Sequence, residues 1–273
     1  FLYFIGEIMN RLTQLLADWE SGNASFDRGA LAKVLAAEPP VEPHARESLY
    51  RWLLLGPAKR EAPASFSSFV GTAPPSDGTD SIADDVNQMI ARIPGDKPDG
   101  FAEDVRGLVE YLCVKTGARY DASMCEQLCP LLQSCLDAHR HKTQEEGTAD
   151  SPALATTFNV WLQMRQGSFP AAINLRSFRE VLDLLFSLLL QYHDPVLALH
   201  VERNKLNLAA TVVDRWLPSL FATSATSPRA TLALWDAFVL LRDRDEAFIP
   251  LIAIGLVVKA RDAILAATTP DAV

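Results

Sequence analysis

Apolar residues recur three and four apart along almost the whole chain, and the strict alternation that a half-buried strand requires is nearly absent. That pattern commits the fold to helices. The periodicity predicts helical segments over residues 2–18, 27–37, 44–55, 82–93, 101–115, 121–138, 152–165, 175–192, 206–217, 228–241 and 246–267. The pattern breaks in two stretches. Residues 56–80, GPAKREAPASFSSFVGTAPPSDGTD, are rich in Pro, Ser and Gly and read as a long loop. Residues 140–152, RHKTQEEGTADSP, are polar and divide the helices into two groups. No repeat of 30 to 45 residues recurs, which disfavours a helical solenoid.

A chain of 273 residues, 49% of them hydrophobic, can bury one large core or two small ones, so a soluble globular protein is expected. The net charge of −9 argues against nucleic acid as the main partner, because phosphate binding needs a basic surface. The tripeptide RHK at 140–142 is too short to change that. The longest apolar run, AFIPLIAIGLVV from 247 to 258, is shorter than the roughly 20 residues a bilayer requires and contains Pro250 and Gly255. It reads as a buried core helix, and no transmembrane segment is expected. The opening FLYFIGEIM has neither the basic leader nor the small-residue cleavage site of a secretory signal.

Cys125, Cys129, Cys135 and His139 fall within one expected helical segment and share a face. At roughly 1.5 Å per residue the first and last stand about 21 Å apart, whereas a zinc ion needs every ligand within about 2.3 Å. One metal cannot reach them all. Reduced, mostly buried cysteines are the better reading, and they point to a cytosolic protein.

The stretch SIADDVNQMIARIP, residues 81–94, sets Asp84 and Asp85 side by side. Ile82, Val86, Met89 or Ile90, and Ile93 form its buried stripe. Asp80 or Ser81 is expected to cap the helix, which places the two carboxylates in the first turn, where they favour the helix dipole and satisfy free backbone N–H groups. Adjacent helical residues point about 100° apart, a poor arrangement for an acid and base pair. The pair is therefore read as structural rather than hydrolytic.

The common catalytic signatures GxSxG, GxxxxGK[ST], HExxH and GxGxxG do not occur. In QYHDPVLALHV, His193, Asp194 and His200 offer the elements of a two-histidine, one-carboxylate metal site. Pro195, however, restricts Asp194 to extended backbone, so the better reading is that HDP ends one helix while Asp194 caps the next.

The distal half then carries a resemblance. Asp194-Pro195-Val196-Leu197 with His200-Val201 is similar to the DPxLxxHL motif of the TBC domain, the helical module of Rab GTPase-activating proteins. Trp216 with Leu220-Phe221 is similar to its W...LF motif, and Leu234-Trp235-Asp236 to its xWD motif. In the first half, ARESLYRWLLLG at 45–56 resembles the family's opening motif, with Trp52 at the Trp position. Trp216, Phe221 and Trp235 also sit at helical spacing among aliphatics, so they are expected to hold the helices together rather than bind a partner. The resemblance implies an all-α fold in two helical subdomains: a TBC domain over 27–273, preceded by a helical extension over 1–26, with the long loop at 56–80 and a subdomain break near 140–152.

The resemblance also assigns roles. TBC proteins carry an arginine finger in IxxDxxR, and here Ile82, Asp85 and Gln88 occupy those positions, with Gln88 in place of the arginine. Their glutamine finger lies in YxQGM, and here the stretch reads Tyr120-Asp121-Ala122-Ser123-Met124, with Ala122 in place of the glutamine. An arginine supplied in trans neutralises charge developing on the phosphoryl oxygens, and a glutamine amide orients the attacking water. Gln88 and Ala122 supply neither. Arg92, one turn beyond Gln88 on the same face, is either a displaced finger that reaches back or a solvated charge near the helix end. Gln127 is a weaker substitute for Ala122.

The implied GTPase-contacting residues are thus Ile82, Asp85, Gln88, Arg92, Tyr120, Asp121 and Ala122. No metal or cofactor of its own is implied, since GTP and magnesium are carried by the partner. The expected partner is a Rab-type small GTPase. Within the family the chain looks most like the branch that joins a degenerate TBC domain to a rhodanese-like domain. That resemblance implies an adaptor in vesicle traffic, with golgins as partners, in the cytoplasm and peripheral on Golgi or endosomal membranes. The alternative is a GTPase activator with an unconventional finger.

Overall fold

A computed structural model describes residues 2–23, 25–37, 41–55, 79–93, 97–143, 151–165, 176–222, 227–241 and 248–267. Among these residues every regular element is helical. The order is α1 (Leu2–Glu20), α2 (Arg28–Ala37), α3 (Pro43–Leu54), α4 (Thr79–Arg92), α5 (Phe101–Thr116), α6 (Ser123–Thr143) and α7 (Ser151–Gln163). Then come α8 (Arg176–His193), α9 (Pro195–Arg203), α10 (Leu208–Thr211) with a π-helical turn (Val212–Trp216), α11 (Pro228–Leu241), α12 (Phe248–Lys259) and α13 (Arg261–Ala266). Most of the expected loop at 56–80 lies outside the described residues.

The chain forms two compact units, residues 1–168 with 227–240, and residues 169–226 with 241–273. In the first unit α6 is the central helix, packed against α3, α4, α5 and α7. Its sequence explains that place. Met124, Cys125, Leu128, Cys129, Leu131, Leu132, Cys135 and Leu136 form one broad apolar face, and all are buried, as are Gln127, Ser134 and Ala138 beside it. An apolar face that wide is stable only when several neighbouring helices cover it. Leu49 and Tyr50 of α3, Val105, Leu108 and Val109 of α5, and Phe158 and Trp161 of α7 are buried with them. Each fully buried side chain of this size contributes about 1.5–3 kcal/mol. The polar stretch 140–152 was expected to divide the helices, yet α6 and α7 on either side of it pack together within this unit; residues 144–150 lie outside the described residues.

A buried ion pair ties α3 to α11. Arg46 donates from Nε to Asp236 Oδ1 at 2.8 Å and from Nη2 to Oδ2 at 2.9 Å, and the Tyr50 hydroxyl donates to Oδ1 at 2.8 Å. The aspartate of the LWD stretch is thus a structural acceptor, next to the fully buried Trp235.

In the second unit α8 packs against α9, α10, the π-helical turn and α12, and α9 packs against α13. Asp194 is the single residue between α8 and α9. Its Oδ1 accepts from the Leu197 N–H at 2.9 Å and its Oδ2 from Arg261 Nε at 2.7 Å. His200 Nε2 lies 2.9 Å from the Ala267 carbonyl oxygen, and His193 is exposed. The HDP stretch therefore caps a helix and anchors α13. Backbone hydrogen bonding to Leu197, then the Arg261 guanidinium, holds the Asp194 carboxyl below the usual aspartate range. Leu220 and Phe221 take left-handed backbone, φ 57° and 63°, where the Phe221 N–H reaches the Trp216 carbonyl at 2.7 Å. Phe221 is buried and Trp216 partly so.

Some expected segments change form. The segment 206–217 is the short α10 followed by π-helix rather than one helix. Residues 246–267 divide at Ala260 into α12 and α13. The apolar run in α12 is one-sided rather than wholly buried: Ala253, Ile254 and Val257 are inside, while Leu251 and Val258 are exposed. Pro250 is accommodated because it stands in the first turn, where its N–H would have no helical acceptor.

Candidate functional site

The two signature stretches lie together in the first unit. α4 buries Ile82, Val86, Met89 and Ile93 as one stripe, leaving Ile90 partly exposed. Asp85 is half-buried at the edge of the stripe, while Gln88 and Arg92 are exposed. Ile82 is only 1% exposed, so it holds the helix down and offers no surface to a partner.

α4 begins at Thr79, earlier than expected. Asp80 and Ser81 therefore lie inside the helix rather than capping it, and Asp84 and Asp85 lie in the second turn. Their carboxylates do not meet free N–H groups there, because those belong to the first turn. Asp85 has a different partner: the Tyr120 hydroxyl donates to its Oδ2 at 2.6 Å. Asp84 is exposed.

Local chemistry sets the other stretch. α5 ends at Gly117, whose φ of 67° turns the chain out of the helix. Residues 118–122 then run to α6. Asp121 accepts the Ser123 N–H on Oδ1 at 2.7 Å and the Met124 N–H on its carbonyl at 2.8 Å, and the Ala122 carbonyl accepts the Glu126 N–H at 3.2 Å. These bonds set the N-terminus of α6 and leave the Asp121 and Ala122 side chains exposed. Tyr120 is half-buried, with its hydroxyl also 3.3 Å from Cys125 Sγ. Burial, with the bonds to Asp85 and Cys125, pushes the Tyr120 phenol well above the usual tyrosine range. Burial likewise raises the Cys125 thiol to about 11. Both groups stay protonated at neutral pH, so neither serves as a base or nucleophile.

The remaining candidates separate. Arg92 reaches only Met89 Sδ, with Nη1 at 3.9 Å, a weak contact that leaves the guanidinium in solvent. Gln127 is not a free amide. It is 3% exposed, and its Oε1 accepts from Trp161 Nε1 and from Arg165 Nη1, both at 3.0 Å. It belongs to the packing of α6 on α7 and cannot replace a glutamine at Ala122.

Arg165, which the sequence reading passed over, joins this neighbourhood. Its guanidinium lies 5.7 Å from the Trp161 ring centre. Burial pulls it below the usual arginine range, and Asp121 and Cys113 oppose that pull, so it lies within electrostatic reach of the segment before α6. Its signal in the sequence was its spacing: Phe158, Trp161 and Arg165 recur three and four apart along α7 and its final turn.

Among the described residues no group of three or more His, Cys, Asp and Glu side chains is arranged to hold a metal, and no helix is long and apolar enough to cross a membrane. The face thus presents carboxylates, amides and exposed cations on two elements joined by one hydrogen bond.

No protein-family model matches the chain. Its structure is similar to the crystal structure of the Ypt/Rab-GAP domain of Gyp1p, with a TM-score of 0.70 and 11% identity over 95% of this chain and 89% of that one. The chain has the all-helical TBC fold of that domain.

Proposed function

We propose that this chain binds a Rab-type small GTPase and does so without supplying the usual catalytic residues. The observation that carries the reading is the Tyr120 to Asp85 hydrogen bond, which brings the two TBC signature stretches onto one face. The fold shared with a Ypt/Rab-GAP domain supports it. At the arginine position stands Gln88, exposed and neutral; at the glutamine position stands Ala122, exposed and without a polar side-chain atom. An arginine in trans accelerates hydrolysis by about 10³ to 10⁵ through charge that an amide cannot provide. Docking without acceleration follows.

GTP and magnesium belong to the partner on this reading. The role is that of an adaptor in vesicle traffic, on the cytoplasmic face of Golgi or endosomal membranes, with golgins as further partners. The branch resemblance motivates this last step. A second reading, an activator that uses Arg92, is favoured by one observation: its guanidinium is exposed and reaches only a methionine sulfur.

Binding of the native domain to a panel of nucleotide-loaded Rab proteins tests the proposal. GTP-dependent binding of at least one member is expected, and no binding across the panel overturns it.

A further inference from the structure

Three cations stand at or beside the segment that leads into α6, and among the described residues none makes an ion pair with a carboxylate: Lys115, Arg119 and Arg165. In a chain of net charge −9 such a group departs from the general balance. Lys115 Nζ lies 5.3 Å from the ring centres of both Tyr111 and Phe158, and the Arg165 guanidinium lies over Trp161. Aromatic faces and the Gln127 amide oxygen therefore hold Lys115 and Arg165, leaving their charges unneutralised, while Arg119 is exposed.

Arg165 is the most constrained of the three. A largely desolvated guanidinium is costly unless paired, and the usual partner is a carboxylate. The largest charge acting on it is Asp121, which makes no ion pair with it and whose Oδ1 is engaged by the Ser123 N–H. The C-terminal ends of α5 and α7 favour Lys115 and Arg165, but only with partial charge, and they do nothing for Arg119. Stacking on Trp161 and the single bond to Gln127 leave most of the Arg165 donor fork open.

Resting on the GTPase reading above, we propose that Lys115, Arg119 and Arg165 form a recognition patch for an acidic stretch of the docked GTPase surface, with Arg165 forming a forked pair with an aspartate or glutamate side chain. A single carboxylate suits the place better than nucleotide phosphates do, because Asp121, within electrostatic reach of Arg165, and Asp85, bonded to Tyr120, repel a multiply charged polyphosphate more strongly than one carboxylate. A single carboxylate set against the guanidinium gains two charge-assisted bonds and register.

The test is the equilibrium affinity for the Rab protein that the native domain binds, measured at low and at physiological salt for native, Arg165→Gln, Arg165→Lys and Arg119→Glu. Melting curves establish that each variant is folded. Arg165→Gln is expected to weaken binding about tenfold or more and to flatten its salt dependence. Arg165→Lys recovers part of the loss, since it keeps the charge but not the fork. The exposed Arg119→Glu weakens binding without touching the core, which keeps the proposal testable should Arg165→Gln fail to fold. Affinities within twofold of native for both Arg165→Gln and Arg119→Glu overturn the patch while leaving the GTPase reading intact. Loss of affinity with unchanged salt dependence makes Arg165 a packing residue and also overturns it. No binding by the native domain overturns the GTPase reading and the patch together.

Discussion

The Tyr120 hydroxyl donates to Asp85 Oδ2 at 2.6 Å, joining the segment before α6 to the middle of α4 across 35 positions of sequence. A hydrogen bond to a charged acceptor contributes about 1.5–3 kcal/mol, so Tyr120→Phe is expected to lower the stability of the first unit by that amount. Asp85→Asn keeps an acceptor and costs less. Urea unfolding of both single variants and the double variant reads the coupling directly. Additive losses would mean that the bond does not join the two elements.

Asp236 accepts from Arg46 and Tyr50 in a buried setting. Removing one partner of such a pair strands the other charge, so Asp236→Ala is expected to cost about 3–5 kcal/mol. Tyr50→Phe leaves the ion pair and costs about 1 kcal/mol. Thermal and denaturant midpoints check the order, and a Tyr50→Phe loss as large as that of Asp236→Ala contradicts it.

Gly117 ends α5 with φ of 67°, and nothing lies within 4 Å of where a Cβ would stand. Gly117→Ala therefore carries only the backbone cost of left-handed conformation, about 1–2 kcal/mol. A much larger loss in denaturant midpoint would point to a packing clash that the structure does not contain.

The acid limb of stability in the second unit should depend on Asp194. Its carboxyl is held down first by the Leu197 N–H and then by Arg261, so the folded state binds a proton less readily than the unfolded state. The contribution is complete above the unfolded value of about 3.9 and is lost as pH falls through the lower folded value. Asp194→Asn retains a capping oxygen but removes the charge, so its unfolding midpoint should change less than that of the native chain as pH falls below about 4. Identical acid limbs would remove Asp194 from the account.

How much of this was legible depends on range along the chain. The stripe Ile82, Val86, Met89 and Ile93 was readable because burial imposes its period directly on sequence. The Asp194 cap was readable because Pro195 fixes the backbone beside it. The start of α4 was not, since Asp80 and Ser81 have the composition of a cap wherever they stand. The Asp85 partner was hidden for another reason: a side chain 35 residues away leaves no local pattern. Ala260, where α12 gives way to α13, is a good helix former and carries no breaker signal. Gln127 is surrounded on α6 by buried apolar residues, and that context marks it as a core amide rather than a free one.

On the proposed function, the face built from α4 and residues 120–122 docks on a Rab protein without accelerating its reaction. Single-turnover GTP hydrolysis by a Rab panel, with this domain in excess, tests it most directly. The comparison is between the native chain and a Gln88→Arg, Ala122→Gln variant. No acceleration by the native chain and a gain on the order of 10³ or more for the repaired variant are expected. Acceleration by the native chain, abolished by Arg92→Ala, would contradict it and show that the finger has moved one turn along α4.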